Sequence, residues 1–165
     1  MKGLYKQPIT QAEAKAFIAR HHRHNIPPVG WVLATCVCWK EAIVGVMTLG
    51  RPSRMAQDGW TCEVTRVCID PDLHAAIEAE MGEKPPVASM LYGAARRAAQ
   101  AIGYRSVLTK SLDEESSTSI KAAGFEFIGM TKAESWDRVH RPRTDKAPVV
   151  PKKRWRIELT EANRG

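Results

Sequence analysis

The sequence contains no long apolar segment. No run of about 18 uncharged apolar residues, the minimum for a membrane-crossing helix, occurs in it. The first ten residues carry Lys2 and Lys6 but lack the apolar stretch that a secretory signal requires. The sequence therefore predicts neither a membrane contact nor a secretory leader.

Cysteine is scarce, and its spacing argues against a disulfide framework. The four cysteines are Cys36, Cys38, Cys62 and Cys68, and none of them forms a C-x-x-C pair. Cys36 and Cys38 are two residues apart in an apolar run, so on a strand they would share a face. We expect the four thiols to be reduced and partly buried. A protein with reduced thiols is expected in the cytoplasm.

The length and the composition are those of one ordinary folded domain. The chain has 165 residues, of which 44% are hydrophobic and 26% are charged. No internal repeat or low-complexity segment interrupts it. We expect a single domain over residues 1–165, with a basic loop and a final strand within 131–160. The oligomeric state is left open, and a dimer is compatible with the sequence.

Positive charge is concentrated near the C-terminal end. The net charge is +7, and the segment from Lys132 to Arg156 holds nine basic and three acidic residues. Such a cluster favours a polyanionic partner, either nucleic acid or the phosphates of a smaller molecule. A solvated loop without a partner is an equal alternative. We single out as nucleic-acid contacts Arg138, His140, Arg141, Arg143, Lys152 and Lys153.

Two helices are clearly marked. Thr10 and Glu13 have the spacing of a capping box, which predicts a helix over about residues 11–23. Pro86 begins the strongest helical pattern, which continues to Ile102 and is followed by Gly103. The segment 73–84 has a helical composition and is either a helix or an insertion packed on the outside. A short helix is expected over about residues 116–123.

Six segments have the composition of strands. The segments 31–39 and 42–49 form a hairpin around Lys40 and Glu41, and the other strands are expected at 61–70, 106–112, 125–130 and 154–159. The strand–helix–strand unit in the middle requires parallel pairing, whereas the hairpin is antiparallel. The sequence therefore predicts an α/β fold, more closely an α+β mixed sheet with helices on its faces.

Three segments carry a resemblance to a known family. They are Glu63–Asp70, Ala88–Arg97 and Ser119–Gly129, and together with the order of elements they resemble the GNAT acyltransferases. The resemblance implies a central strand that carries acyl-CoA along its open edge and a following helix that faces the pyrophosphate. It implies acetyl-CoA or another acyl-CoA as the donor and a donor site made by Arg66, Val67, Cys68, Ile69, Ala88 and Ser89.

A finer resemblance concerns the acceptor. The segments His21–Asn25, Gly50–Pro52 and Ser89–Arg97 resemble a phage-associated group similar to the Mom-type DNA-modification proteins. That resemblance implies duplex DNA as a partner and the adenine N6 amine as the acceptor. Two features depart from the wider family. The segment 83–88 has no glycine and two prolines, and Ile120 stands where a tyrosine often protonates the leaving thiolate.

Glu63 and Arg66 are the charged candidates on the central strand. Glu63 resembles the family's general base, and its alternative is a strand-end carboxylate paired with Arg66 or a nearby lysine. Arg66 binds either the acyl donor or a structural carboxylate. Simple alternation predicts that Glu63 and Arg66 lie on opposite faces of the strand, Glu63 with Val67 and Arg66 with Cys68.

A histidine cluster follows the first helix. His22 and His24 are candidates for proton transfer or substrate contact, since histidine titrates near neutral pH. His21 lies on the apolar face and is expected to be a core residue. The three-residue spacing of His21 and His24 is only a weak signal for a metal, so no metal site is assigned.

Three function classes remain open. The first is an acyl-CoA-dependent N-acyltransferase acting on a DNA base. The second is an N-acyltransferase acting on a small molecule or a protein. The third is a non-catalytic nucleic-acid-binding module that keeps only the fold.

Overall fold

The fold is a seven-stranded sheet with four helices, seen in a computed structural model that describes residues 3–22, 26–53, 56–132 and 149–159. The strands are β1 (Leu4–Pro8), β2 (Leu33–Trp39), β3 (Ala42–Gly50), β4 (Thr61–Ile69), β5 (Ser106–Leu112), β6 (Glu126–Met130) and β7 (Lys152–Glu158). The helices are α1 (Gln11–His21), α2 (Pro71–Met81), α3 (Val87–Ile102) and α4 (Thr118–Ala122).

The sheet is mixed, as the sequence predicts. Its strand order is β1-β2-β3-β4-β5-β7-β6. The β4–β5 pair is parallel, and the other neighbours are antiparallel. Lys40 and Glu41 adopt positive φ angles of 46° and 69°, which is the backbone of a tight hairpin turn between β2 and β3. The α/β class and the predicted hairpin are confirmed.

Strand β1 and helix α2 refine the predicted elements. The sequence did not indicate β1, which lies at the edge of the sheet against β2 with every residue except Leu4 exposed. The uncertain segment is a helix, because Asp70 accepts hydrogen bonds from the amides of Asp72 and Leu73, and it ends at Gly82. No helix in the described part of the chain is long and apolar enough to cross a bilayer.

Two apolar clusters cover the two faces of the sheet. Helix α3 packs on β2, β3, β4 and β5, and its apolar stripe fills the larger cluster. Helix α1 covers β3 and β4 on the opposite face, where Ala14 and Ile18 meet Cys36, Cys38 and Cys68. The four thiols are free, and burial raises the pKa of Cys36, Cys62 and Cys68 to about 12. They are therefore inert packing residues at neutral pH.

Candidate functional site

Strands β4 and β5 separate partway along their length. The parallel pairing runs from Thr61 opposite Ser106 to Val64 opposite Thr109. Beyond it, within the described residues, β4 is paired only with β3 and β5 only with β7. The Thr109 hydroxyl donates a hydrogen bond of 3.3 Å to the Val64 carbonyl at the last rung. The second half of β4 therefore presents an open main-chain edge in the middle of the sheet.

A β-bulge lies at the point of separation. Thr48 pairs with Arg66 and Leu49 pairs with Val64, so Thr65 is an extra residue in β4. Cys62 and Val64 before the bulge and Val67 after it all pack in the α3-side core. The expected alternation is therefore wrong, because the bulge reverses it and places Glu63, Arg66 and Cys68 on the same face.

Glu63 is a nearly buried carboxylate beside the separation. It is 8% exposed, and its Oε1 atom lies 2.9 Å from the Nζ atom of Lys110 on β5. Sequence reasoning named a lysine as one alternative partner but did not identify Lys110. The signal for Lys110 was its charge within an otherwise uncharged strand. Glu63 thus combines two features of a catalytic carboxylate, burial and a fixed orientation.

Arg66 joins the chain after α1 to the central strand. Its Nε atom donates to the Ile26 carbonyl at 3.1 Å, and Nη1 donates to the Thr65 carbonyl at 2.6 Å. Burial lowers the pKa of Arg66, and the negative charge of Glu63 acts against that shift. Its guanidinium therefore lies on the face that Glu63 also occupies.

The histidine cluster lies partly within the described residues. His21 stacks near Phe17 with ring centroids 4.6 Å apart, and its Nε2 atom is 3.8 Å from an Asp70 oxygen, which suits a packing role. His22 ends α1 through its backbone N–H, which donates to the Ile18 carbonyl. His24 falls outside the described ranges. Within those ranges no group of three histidines, cysteines or acids could hold a metal ion.

The beginning of α3 offers free amides. The first intrahelical bond runs from Met90 to the Pro86 carbonyl, so the amides of Val87, Ala88 and Ser89 have no acceptor within the helix. No side chain caps this end, and its first turn contains no acid. Such an end attracts anions through its amides and its dipole.

The start of α3 is held close to the sheet. A Cβ atom on Gly45 of β3 would lie 2.8 Å from Cγ1 of Val87 and 3.1 Å from Cδ1 of Leu91. The Nε2 atom of His74 on α2 lies 3.1 Å from the carbonyl oxygen of Pro85, which is in the turn before α3 and can only accept. The open edge of β4 and this helix end together fit a long donor with a phosphate group, even without a glycine-rich turn.

The two neighbouring lysines of β7 have different surroundings. Lys153 pairs with Asp113, its Nζ atom 3.0 Å from Oδ1. Lys152 lies on the opposite face, which is the face of Lys110 and Glu63. Burial lowers the pKa of Lys152, and the positive charges of Lys110 and Arg66 lower it further. The other predicted nucleic-acid contacts, Arg138, His140, Arg141 and Arg143, fall outside the described residues.

Tyr92 and Ile120 are core residues. The Tyr92 ring meets Phe125 edge-on with centroids 5.8 Å apart, and burial raises the pKa of its hydroxyl to about 12. Ile120 is buried in the same cluster. Neither side chain is therefore a ready proton donor at neutral pH.

Comparisons with known proteins show a similarity of fold without a match in sequence. No family model matches the chain, and no curated protein sequence matches it. Three solved structures illustrate the similarity. An acetyltransferase from Bacillus subtilis in complex with CoA is 10% identical, with a TM-score of 0.61 over 96% of this chain and 99% of that one.

The other two are similar in extent. A putative acetyltransferase from Salmonella typhimurium with acetyl-CoA is 10% identical, with a TM-score of 0.65 over 97% of this chain and 96% of that one. Ard1 from Thermoplasma volcanium is 12% identical, with a TM-score of 0.65 over 96% of this chain and 99% of that one. The chain therefore has the fold of the GNAT N-acetyltransferases.

Proposed function

We propose that the protein is an N-acyltransferase that takes its acyl group from acetyl-CoA or another acyl-CoA. The observation that carries the proposal is the separation of β4 and β5 directly beside the buried carboxylate of Glu63. A non-catalytic nucleic-acid-binding module would need neither the open edge of β4 nor a buried carboxylate beside it. The four free thiols suit a reducing cytoplasm, where we expect the protein to act.

The proposed donor-binding residues lie along the open edge of β4 and at the start of α3. The main chain of Arg66, Val67, Cys68 and Ile69 would hold the extended part of the donor along the open edge of β4. The amides of Ala88 and Ser89 would hold its phosphates at the start of α3. Acyl-CoA supplies the thioester, whose carbonyl carbon is the electrophile.

Glu63 is the proposed general base. An amine attacks only when it is neutral, so a group near the acyl carbon must accept a proton as the C–N bond forms. The Glu63 carboxylate can accept that proton, and Lys110 fixes its orientation at 2.9 Å. His22 and His24 are the alternative bases. Since Ile120 and the buried Tyr92 cannot readily donate a proton, solvent would protonate the leaving thiolate.

A charge introduced at the start of α3 tests donor binding. We expect Ser89→Glu to weaken acetyl-CoA binding at least about tenfold in calorimetry, because it places a carboxylate where the phosphates would lie. An acid in the first turn favours a helix, so the variant should fold. Ala101→Glu, at an exposed position near the other end of α3, is the matched control. Absence of acetyl-CoA binding to the unaltered protein would overturn the proposal.

Glu63→Gln separates catalysis from donor binding. We expect kcat to fall by about 10²–10⁴ while acetyl-CoA affinity stays within about twofold, because the amide keeps the shape but cannot take a proton. Unchanged turnover would assign the base to another residue, with His22 the next variant to measure.

A DNA base is a second candidate acceptor. We propose it because the chain has a net charge of +7 and because its sequence resembles the Mom-type proteins. The acceptor would be the adenine N6 amine, and the base would have to leave the duplex to reach Glu63. Arg138, His140, Arg141, Arg143 and Lys152 would contact phosphates. Mass spectrometry of genomic DNA from expressing cells tests this candidate, and unmodified adenine throughout would remove it.

A further inference from the structure

Three basic side chains occupy neighbouring positions on one face of β5 and β7. Lys110 stands directly opposite Arg154, and Lys152 stands opposite Leu112, two residues further along β5. Lys152 is therefore diagonal to Lys110, at about 7–8 Å between Cα atoms. Trp155 and Ser111 point to the other face, where they hydrogen-bond at 3.0 Å. We call Lys110, Lys152 and Arg154 the basic triad.

The basic triad has more positive charge than its described neighbours balance. Lys110 pairs with Glu63, whereas Lys152 and Arg154 form no ion pair within the described ranges. Like charges directly opposite each other destabilise a sheet, and Glu63 balances only one of the two charges that Lys110 and Arg154 bring together. Burial and then the positive charges of Lys110 and Arg66 lower the pKa of Lys152, which agrees with an excess of positive charge around it.

The basic triad lies away from the proposed phosphate position of the donor. The start of α3 contacts Gly45, which pairs with Ile69 at the far end of β4. Glu63 is six residues from Ile69, or about 20 Å along an extended strand. Lys110 and Arg154 lie beside Glu63, and Lys152 lies further along the open edge, all on the face of the sheet opposite α3. An anion on the triad would thus lie on the face of the proposed base, across the sheet from the donor phosphates.

We propose that the basic triad binds an anionic group, a phosphate or a carboxylate, on the acceptor whose amine is acylated. That the anionic group belongs to an acceptor rests on the proposed function, whereas anion binding by the triad does not. Anchoring this group would hold the amine beside Glu63 and would select acidic acceptors over neutral ones of the same size.

Three primary amines that differ in charge test the proposal. O-phosphoethanolamine carries a phosphate, β-alanine carries a carboxylate, and ethanolamine carries neither. Their binding is measured by NMR titration of the full chain, with and without saturating CoA. We expect one of the anionic amines to bind at least about tenfold more tightly than ethanolamine, as a charge-assisted hydrogen bond requires. The tighter of the two identifies the anionic group.

Neighbouring lysines supply the matched variants. Lys152→Ala should remove the preference for the anionic amine, whereas Lys153→Ala, with the same loss of charge on the opposite face, should keep it. If both variants lost the preference for the anionic amine equally, the proposal would be overturned, because non-specific electrostatic attraction would then explain the preference. Equal binding of all three amines would also overturn it and would leave the acyltransferase intact if acetyl-CoA still binds. Anion-selective binding without any acetyl-CoA binding would instead keep the triad and remove the proposed function.

Discussion

Strands β5 and β7 carry opposite chemistry on their two faces. On the face toward α3, Val107, Thr109 and Trp155 are buried in the main core. On the other face, Lys110, Lys152 and Arg154 are only half-buried and surround a carboxylate. Because side chains alternate along a strand, the same two strands can hold the fold together on one side and present charge on the other. Substitutions on the two faces should therefore affect different measurements.

Trp155 should give the largest loss of stability. Trp155→Ala removes a side chain that is 3% exposed and hydrogen-bonded to Ser111, so we expect the free energy of unfolding to fall by about 3–5 kcal/mol. Urea denaturation measures it. Arg154→Ala on the opposite face should stay within about 0.5 kcal/mol of the unaltered protein. Similar losses for the two variants would contradict the division of the faces.

Gly45→Ala should have an intermediate effect, lowering both the free energy of unfolding and the affinity for acetyl-CoA. The new methyl group of Gly45→Ala would press on Val87 and Leu91, so we expect a loss of about 1–3 kcal/mol. The start of α3 must shift to relieve the contact, and acetyl-CoA affinity should fall with it. Gly30→Ala, where nothing lies within 4 Å of the new atom, is the control. A donor affinity unchanged by Gly45→Ala would show that the position of α3 matters little.

The pH dependence of Lys152 should give the smallest effect. Its pKa lies below the ordinary 10.5, so it loses its proton at a lower pH than an unfolded-state lysine. The unfolded chain then binds more protons, and the contribution of Lys152 to stability improves as the pH rises through its folded pKa. Anion binding should weaken over the same alkaline range, because the cation is lost. The charged groups that act on its pKa are Lys110 and Arg66, which lower it, and Glu63 and Glu115, which raise it.

NMR titration of the anionic amine at increasing pH measures the change. Lys152→Ala should show a flatter profile over that range, whereas Lys153→Ala should follow the unaltered protein. Identical profiles for Lys152→Ala and the unaltered chain would assign the titration to another group.

The sequence predicted the elements better than it predicted their relation to one another. Helix α3 follows from its apolar stripe between Pro86 and Gly103, and the hairpin follows from strand composition around Lys40. Strand β1 was missed because its exposed residues leave no apolar alternation to detect. A local sequence pattern therefore predicts an element only where that element has a buried face with a regular apolar spacing.

The site depended on register, which composition does not encode. The bulge at Thr65 comes from main-chain pairing with β3, and it reversed the predicted faces of β4. The partner of Glu63 is 47 residues away on β5, so no local spacing could identify Lys110. The separation of β4 from β5 has the same origin, since both strands continue as good strand sequence beyond their last common rung.

That separation makes the sheet two sheets joined by a short seam. Strands β1–β4 form one ladder and strands β5, β7 and β6 form the other. In the part of the chain that the structure describes, only the pairs from Thr61 to Val64 connect the two ladders. An unsatisfied strand edge invites pairing with another chain when it lies at the outside of a sheet. Here the open edge lies in the middle of the strand order, with β5 on its other side. A ligand that pairs with this edge would therefore lie between two ladders of the same chain, whereas an edge at the outside of a sheet would leave its partner exposed on one side.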